Sequence, residues 1–272
     1  MKVYICVDIE GVAGVVTPEQ GTPGNTEYER ARRLMTEEAN AAIEGAVAAG
    51  ATTVVVNDAH GPMTNLLPEL LRPEASFITG RPKPFNMFAG LTSEFDAVFC
   101  VGHHAGASGF GVLAHTTNGF AFRSVSIDGR RLGEPGLYGA YAGALGVPIA
   151  LITGDDRCAT ENRQIFPGTT FVTVKMALGN RAAKAMSVES ARAAIRVGAE
   201  RALMTKPLPA PFVIDQPRSL ELVMSHPALG DLAEVLPTAE RVDAVTIRFS
   251  ISCVAEAIGW MNAVSAMSAS MR

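Results

Sequence analysis

Met1-Lys2-Val3-Tyr4-Ile5-Cys6-Val7-Asp8-Ile9-Glu10-Gly11 is a short apolar run that ends in two carboxylates and a glycine. Side chains of an extended strand alternate between faces, so Asp8 and Glu10 project to one side while Ile9 turns back into the core. Two acids this close repel each other unless protons or cations hold them together. At the mouth of a buried strand the pair is a candidate metal site; the alternative is two solvated acids in a loop.

Past this run, a Gly/Pro-rich loop from Gly11 to Gly24 leads to a predicted helix over about Glu27 to Ala49. Thr26 and Glu29 have the spacing of a capping box, and Gly50 sits where a C-terminal cap belongs. Thr53–Asn57, Ala75–Thr79 and Ala97–Val101 read as strands. Ser124–Ile127, Asp128-Gly129 and Arg130–Leu132 form a hairpin signal. A helix (about Gly136–Leu145), a strand (Ile149–Thr153), a helix (about Asp156–Ile165) and a strand (Thr170–Val174) follow. This alternation predicts an α/β fold with a mainly parallel sheet flanked by helices. At Lys206-Pro207-Leu208-Pro209-Ala210-Pro211 the prolines favour an extended linker. Beyond it lie strand candidates Leu220–Met224 and Ala244–Ser250 and a closing helix from about Val254 to Met267, rich in Ala, Met and Ser and suited to close packing. The expected division is an α/β domain over 1–205 and a smaller α+β region over 212–272.

Composition narrows the partners. The 272 residues are 48% hydrophobic, enough for a substantial core. No apolar stretch reaches the roughly 18 residues of a membrane span. Only five apolar or aromatic residues separate Lys2 from Asp8, too few for a signal peptide. The four cysteines are scattered, with Cys6 and Cys100 inside apolar runs where a reduced thiol is the default, so a cytoplasmic location is expected. A net charge of −4 with no Lys/Arg cluster argues against a nucleic-acid partner.

Further polar residues recur just beyond apolar runs. Val54-Val55-Val56-Asn57-Asp58-Ala59-His60 ends in Asp58 and His60, and Ala97-Val98-Phe99-Cys100-Val101-Gly102-His103-His104 ends in a histidine pair. His115 follows Val112-Leu113-Ala114, and Glu134 follows the hairpin. Open α/β sheets gather the carboxyl ends of their strands into one ligand-binding crevice. Asp8, Glu10, His60, His104 and Glu134 can therefore converge, and in an extended segment at most one of His103 and His104 faces the site. Of five histidines only His226 lies outside these clusters, and it reads as a surface or capping residue. Carboxylates and imidazoles without thiolate suit zinc, manganese or cobalt. Five ligands fit two ions about 3.5–4 Å apart with a bridging carboxylate. There is no phosphate-binding loop, dinucleotide fingerprint or nucleophile elbow, and Gly106-Ala107-Ser108-Gly109-Phe110-Gly111 reads as a flexible loop leading to His115.

The combination resembles the D-aminopeptidase family, the M55 zinc metallopeptidases. The resemblance is carried by Val7-Asp8-Ile9-Glu10-Gly11, the helix from Tyr28-Glu29-Arg30-Ala31-Arg32 to Met35-Thr36-Glu37-Glu38-Ala39-Asn40, and Asn57-Asp58-Ala59-His60. It continues through Lys83-Pro84-Phe85, Gly102-His103-His104-Ala105, Ala114-His115, Gly133-Glu134 and Gly154-Asp155-Asp156. It runs in order through about the first 180 residues and weakens from Thr116 to Arg131 and beyond Lys206, segments expected to line the substrate pocket or subunit contacts. It implies Asp8, Glu10, His60, His104 and Glu134 as ligands of two zinc ions, with Asp8 bridging, and His115 as the catalytic histidine. It further implies a homodecamer of two stacked five-membered rings around a central channel.

The expected function is a dizinc aminopeptidase or amidase that removes the N-terminal residue from small peptides, with a D-amino-acid preference implied by the resemblance. His115 is expected to serve as general base, general acid or nucleophile. One rival is a metal-dependent hydrolase of another bond, such as a phosphoester, for which Arg123, Arg130 and Arg131 are the nearest basic residues. The other is a non-catalytic zinc-containing assembly protein, against which the carboxylate-rich ligand set argues.

Overall fold

The opening run becomes a central strand in the computed structural model, which describes residues 1–272. In chain order the elements are β1 (Lys2–Val7), α1 (Thr26–Ala48), β2 (Thr53–Asp58), β3 (Ala75–Ile78), β4 (Ala97–His103), β5 (Phe122–Ile127), β6 (Arg130–Arg131) and α2 (Glu134–Ala144). There follow β7 (Ile149–Asp155), α3 (Asp156–Arg163), β8 (Thr170–Gly179), β9 (Ala182–Ala185), α4 (Val188–Met204), β10 (Ser219–Met224), α5 (Pro227–Glu234), β11 (Ala239–Arg241), β12 (Thr246–Ser250) and α6 (Val254–Met267).

Seven strands form the main sheet in the order β3-β2-β1-β4-β7-β8-β9, parallel except for the final hairpin strand β9. β1 is buried on both faces. Tyr4 and Cys6 enter one core with Leu137 and Tyr138 of α2 and Met261 of α6. Val3, Ile5 and Val7 enter the other with Met35 and Ile43 of α1 and Ile195 of α4. Such two-sided burial is what a helix-covered parallel sheet requires.

A second sheet, antiparallel in the order β11-β12-β10-β5-β6, backs the first of these cores. It joins the hairpin β5–β6, turned at Asp128 and Gly129 with φ of 48° and 76°, to strands from beyond the proline run. Segments on either side of the expected 205/212 division thus share one sheet. The start of α1 differs by one residue from the expected capping box: Asn25, not Thr26, is the cap, its Oδ1 accepting from the Tyr28 amide at 2.9 Å. No helix is long and apolar enough to cross a membrane.

Candidate metal centre

β1 lies between β2 and β4, so the chain reverses its direction of travel across the sheet at β1, and a crevice opens beyond the carboxyl ends of these strands. Asp8 directly follows β1, His60 lies two residues past β2, His104 directly follows β4, and Glu134 is the first residue of α2. Two glycines let the loops meet. The Gly11 amide donates to the Gly102 carbonyl at 2.7 Å, and the Asp8 amide to the Val101 carbonyl at 2.9 Å. A Cβ at Gly11 would overlap the His103 carbonyl, and one at Gly102, where φ is +70°, would overlap the Asp8 carbonyl. Only glycine fits this close approach.

The side chains then interlock. Asp8 Oδ1 lies 3.3 Å from His60 Nδ1, and Asp8 Oδ2 lies 3.3 Å from His104 Nε2. Glu10 Oε2 is 2.9 Å from His60 Nδ1, and Glu134 Oε2 is 3.4 Å from His104 Nε2. His115 Nε2 stands 3.8 Å from Glu134 Oε1 and 4.0 Å from Glu10 Oε1. Asp8, Glu10, His104 and Glu134 are buried, and no lysine or arginine pairs with the three acids.

Each imidazole is oriented by a backbone carbonyl. His60 Nε2 bonds the Gly21 carbonyl at 2.8 Å, His104 Nδ1 the Ala105 carbonyl and His115 Nδ1 the Leu113 carbonyl, both at 2.9 Å. A carbonyl only accepts, so these ring nitrogens carry the proton, which leaves the opposite nitrogen of each ring free to bind a metal. The Thr117 amide donates to Glu134 Oε1 at 2.6 Å, fixing that carboxylate as well.

Electrostatics give the same answer. Burial alone would push the Asp8 carboxyl up, but hydrogen bonds and charge from His104 and His60 outweigh it and hold the group well below the usual carboxylate range. Burial opposes charge on His60 and His104, yet Glu10 and Asp8 around the first, and Glu134 and Asp8 around the second, raise both well above the ordinary histidine value. A cluster that draws protons this strongly favours positive charge between its acids, and a divalent cation supplies it. Glu10 Oε2 and His104 Nε2 are buried with no hydrogen-bond partner. Ligand-distance groups recur through the cluster, including Asp8, Glu10 and His104, and His104, His115 and Glu134. The donor set fits zinc.

A family model described as D-aminopeptidase matches residues 1–263. The chain belongs to the D-aminopeptidase family. A D-aminopeptidase of Bacillus subtilis (strain 168) is 35% identical over 258 residues, 94% of each chain. The solved structure of the Zn-dependent D-aminopeptidase DppA from Bacillus subtilis, described as a self-compartmentalizing protease, matches with a TM-score of 0.95 and 34% identity. That match covers 99% of this chain and 98% of the other.

On this D-aminopeptidase scaffold, the six residues singled out from the sequence come together at the crevice. The expectation that only one of the adjacent histidines turns inward needs correction. Because Gly102 breaks the alternation of β4, His103 also brings a ring nitrogen within 4.8 Å of Asp8 and Glu134 oxygens. Both its ring nitrogens are unpartnered, and burial lowers its pKa, which keeps it neutral. Asp58 turns away, accepting from the amides of Asn65 and Leu66. His226 caps α5 by accepting from the Ala228 amide at 3.2 Å.

A cavity of about 870 Å³ opens onto Asp8, His60, His115 and Glu134. Thr117 to Gly119 and the stretch from Asn262 to Arg272 contribute to its wall, within the two regions where the family resemblance weakens. Arg123, Arg130 and Arg131 do not line it; its cations are Arg81, Lys83 and Arg272. Sequence reading also passed over Lys175, whose buried ammonium donates to the carbonyls of Glu10, Val12 and Val15. Its signal is a lone lysine in a run of strand residues.

Proposed function

We propose that this chain is a zinc-dependent aminopeptidase that binds two zinc ions and releases the N-terminal residue from small peptides containing D-amino acids. The observation that carries the reading is Asp8, whose two oxygens face two different imidazoles, each at 3.3 Å. In this reading Asp8, Glu10, His60, His104 and Glu134 would hold the two ions, with Glu10 and His60 grouped on one side of Asp8 and His104 and Glu134 on the other. When bound, zinc polarises the scissile carbonyl and makes water acidic enough to ionise near neutral pH.

The protein's own groups do the rest. The buried carboxylates hold the facing imidazoles in place. His115, held through Nδ1, leaves Nε2 toward the cluster, where it takes up or delivers a proton or attacks the carbonyl. Arg123, Arg130 and Arg131, the basic residues expected for the phosphoester alternative, lie off the cavity, whose cations are instead Arg81, Lys83 and Arg272. The zinc-dependent relative and the family match support the peptidase assignment.

The self-compartmentalizing relative supports an oligomer, which we read as a decamer of two stacked five-membered rings. Four unpaired cysteines, with Cys253 exposed, support a cytoplasmic location. The test is metal analysis together with hydrolysis of paired D- and L-amino-acid amides. Two zinc ions per chain and faster release of the D-residue are expected; full activity in metal-free protein would overturn the reading.

A further inference from the structure

The Lys83-Pro84-Phe85 segment has no part in the metal centre, yet its lysine lines the same cavity. Lys83 Nζ donates to Asn57 Oδ1 at 2.6 Å and to the Asp58 carbonyl at 2.7 Å. Asn57 is itself oriented, its amide nitrogen donating to the Met87 carbonyl. The ammonium is thus fixed to the last two residues of β2, and His60 follows two residues later. A cation is therefore anchored to the strand end from which the His60 imidazole follows.

No carboxylate makes an ion pair with this cation; the Asp58 carboxylate acts on it from a distance while accepting from the Asn65 and Leu66 amides. The hydrogen-bond partners of Lys83 are neutral oxygens, which use two of the three ammonium donors. Arg272 is bonded to the neutral Asn118 Oδ1 at 3.0 Å, and its guanidinium lies 5.0 Å from the Phe120 ring. Arg81 lies two residues from Lys83 on the same wall. No carboxylate of the chain lies within ion-pair distance of these three groups. The acids that line the cavity are Asp8 and Glu134, and both face imidazoles. Removing a cation from water is costly unless an anion meets it, and Lys83 is half-buried.

We propose that Lys83, reinforced by the field of Arg81 and Arg272, receives the C-terminal carboxylate of the substrate, which makes the enzyme selective for short peptides with a free acid end. This rests on the aminopeptidase reading and deepens it. The peptide lies with its N-terminal end at the metal centre and its carboxylate at the lysine. A peptide too long to bring its carboxylate to Lys83 forgoes this contact, so the cation acts as a length gauge.

The test compares D-alanyl-D-alanine with its C-terminal amide on the zinc-loaded enzyme, following release of the first residue. A charge-assisted hydrogen bond of this kind predicts a kcat/KM preference for the free acid of about ten- to a hundredfold, expressed mainly in KM. Lys83→Met should collapse that preference toward unity, and Lys83→Arg should keep part of it. Equal use of both substrates by the wild type, or an equal fall on both in Lys83→Met, overturns the inference. Should Lys83→Met lose its fold, Arg81→Met at an exposed position must still weaken the preference, and an unchanged ratio there overturns it. Hydrolysis of neither substrate by the wild type would remove the aminopeptidase reading, and this inference with it.

Discussion

The imidazoles of His104 and His115 stack, with ring centroids 4.2 Å apart and planes 13° from parallel. The two rings differ in access. The His104 side chain is 1% exposed and that of His115 is 23% exposed. His115 also sits between Leu113 and Thr117, both at positive φ (52° and 60°), where non-glycine residues are strained. A buried ring thus backs a more open one carried on a strained loop, the arrangement expected when one imidazole binds metal and its neighbour meets substrate.

His115→Ala is therefore expected to keep both zinc ions and lose about 10² to 10⁴ in kcat, the usual range for positioned acid–base catalysis. Zinc stoichiometry, melting temperature and kcat measured on one preparation decide the matter. Zinc loss in step with activity would make His115 a ligand, and near-normal turnover would remove it from the mechanism.

His60→Ala and Glu134→Ala should each bring bound zinc below two ions per chain, since each deletes a donor from the cluster. His226→Ala should leave zinc content unchanged, because that residue caps α5 and its ring faces the Ala228 amide. Equal zinc loss in all three variants would show the histidines to be wrongly grouped.

Much of this was legible in the sequence because it is local. The unbroken apolar run of β1, the polar residues just past β2 and β4, and the limits of α6 all follow from short stretches of chain. What stayed hidden depends on distant partners. β5 pairs with β10, so the second sheet is closed by segments about ninety residues apart. α4 went unread because small residues supply most of its buried stripe, Ala191, Gly198, Ala199 and Ala202 beside Ile195 and Leu203, and such residues mark a core face weakly. His103 was misjudged because the kink at Gly102 comes from its contact with the loop after β1. Lys175 carries no local signal of its role, since the carbonyls it serves lie some 160 residues earlier.

Chelation should abolish activity while leaving the far-ultraviolet circular dichroism spectrum largely unchanged. Two hydrophobic cores of 37 and 29 buried residues hold the sheets and helices together without the metal centre. Cooperative unfolding on metal removal would mean instead that zinc is structural.

Glu38 gives a pH-dependent prediction. Its Oε1 accepts from the Ala13 amide at 2.8 Å, while Oε2 is buried without a partner. Burial pushes this carboxyl up to about 7 despite the Ala13 amide and the charge of Lys175. A raised folded value means the native state holds the proton more tightly than the unfolded chain does. The resulting stabilisation is present below pH 4.5 and is lost as pH rises through 7. Glu38→Gln has no such loss, so its stability relative to wild type should climb between pH 4.5 and 7. A constant difference in denaturant midpoint across that window would show Glu38 to be ionised throughout.

Lys175 reaches from β8 into the loop that presents Glu10, donating to the carbonyls of Glu10, Val12 and Val15. Lys175→Met keeps the bulk of the stem but strands the Glu10 and Val15 carbonyls, each costing about 1–3 kcal/mol when left unpaired, while the Val12 carbonyl keeps the Val15 amide. Relief from burying the ammonium, whose pKa burial lowers to about 8, offsets part of that loss. Global stability should fall modestly, while the Glu10 backbone loses its tether. If Glu10 and His60 hold one zinc ion, as proposed, its binding should then weaken about tenfold or more, while a zinc ion at His104 and Glu134 should change little. Competition with a chromophoric chelator resolves the two equivalents. A lowered melting temperature with both affinities intact would make Lys175 a structural residue with no part in positioning Glu10.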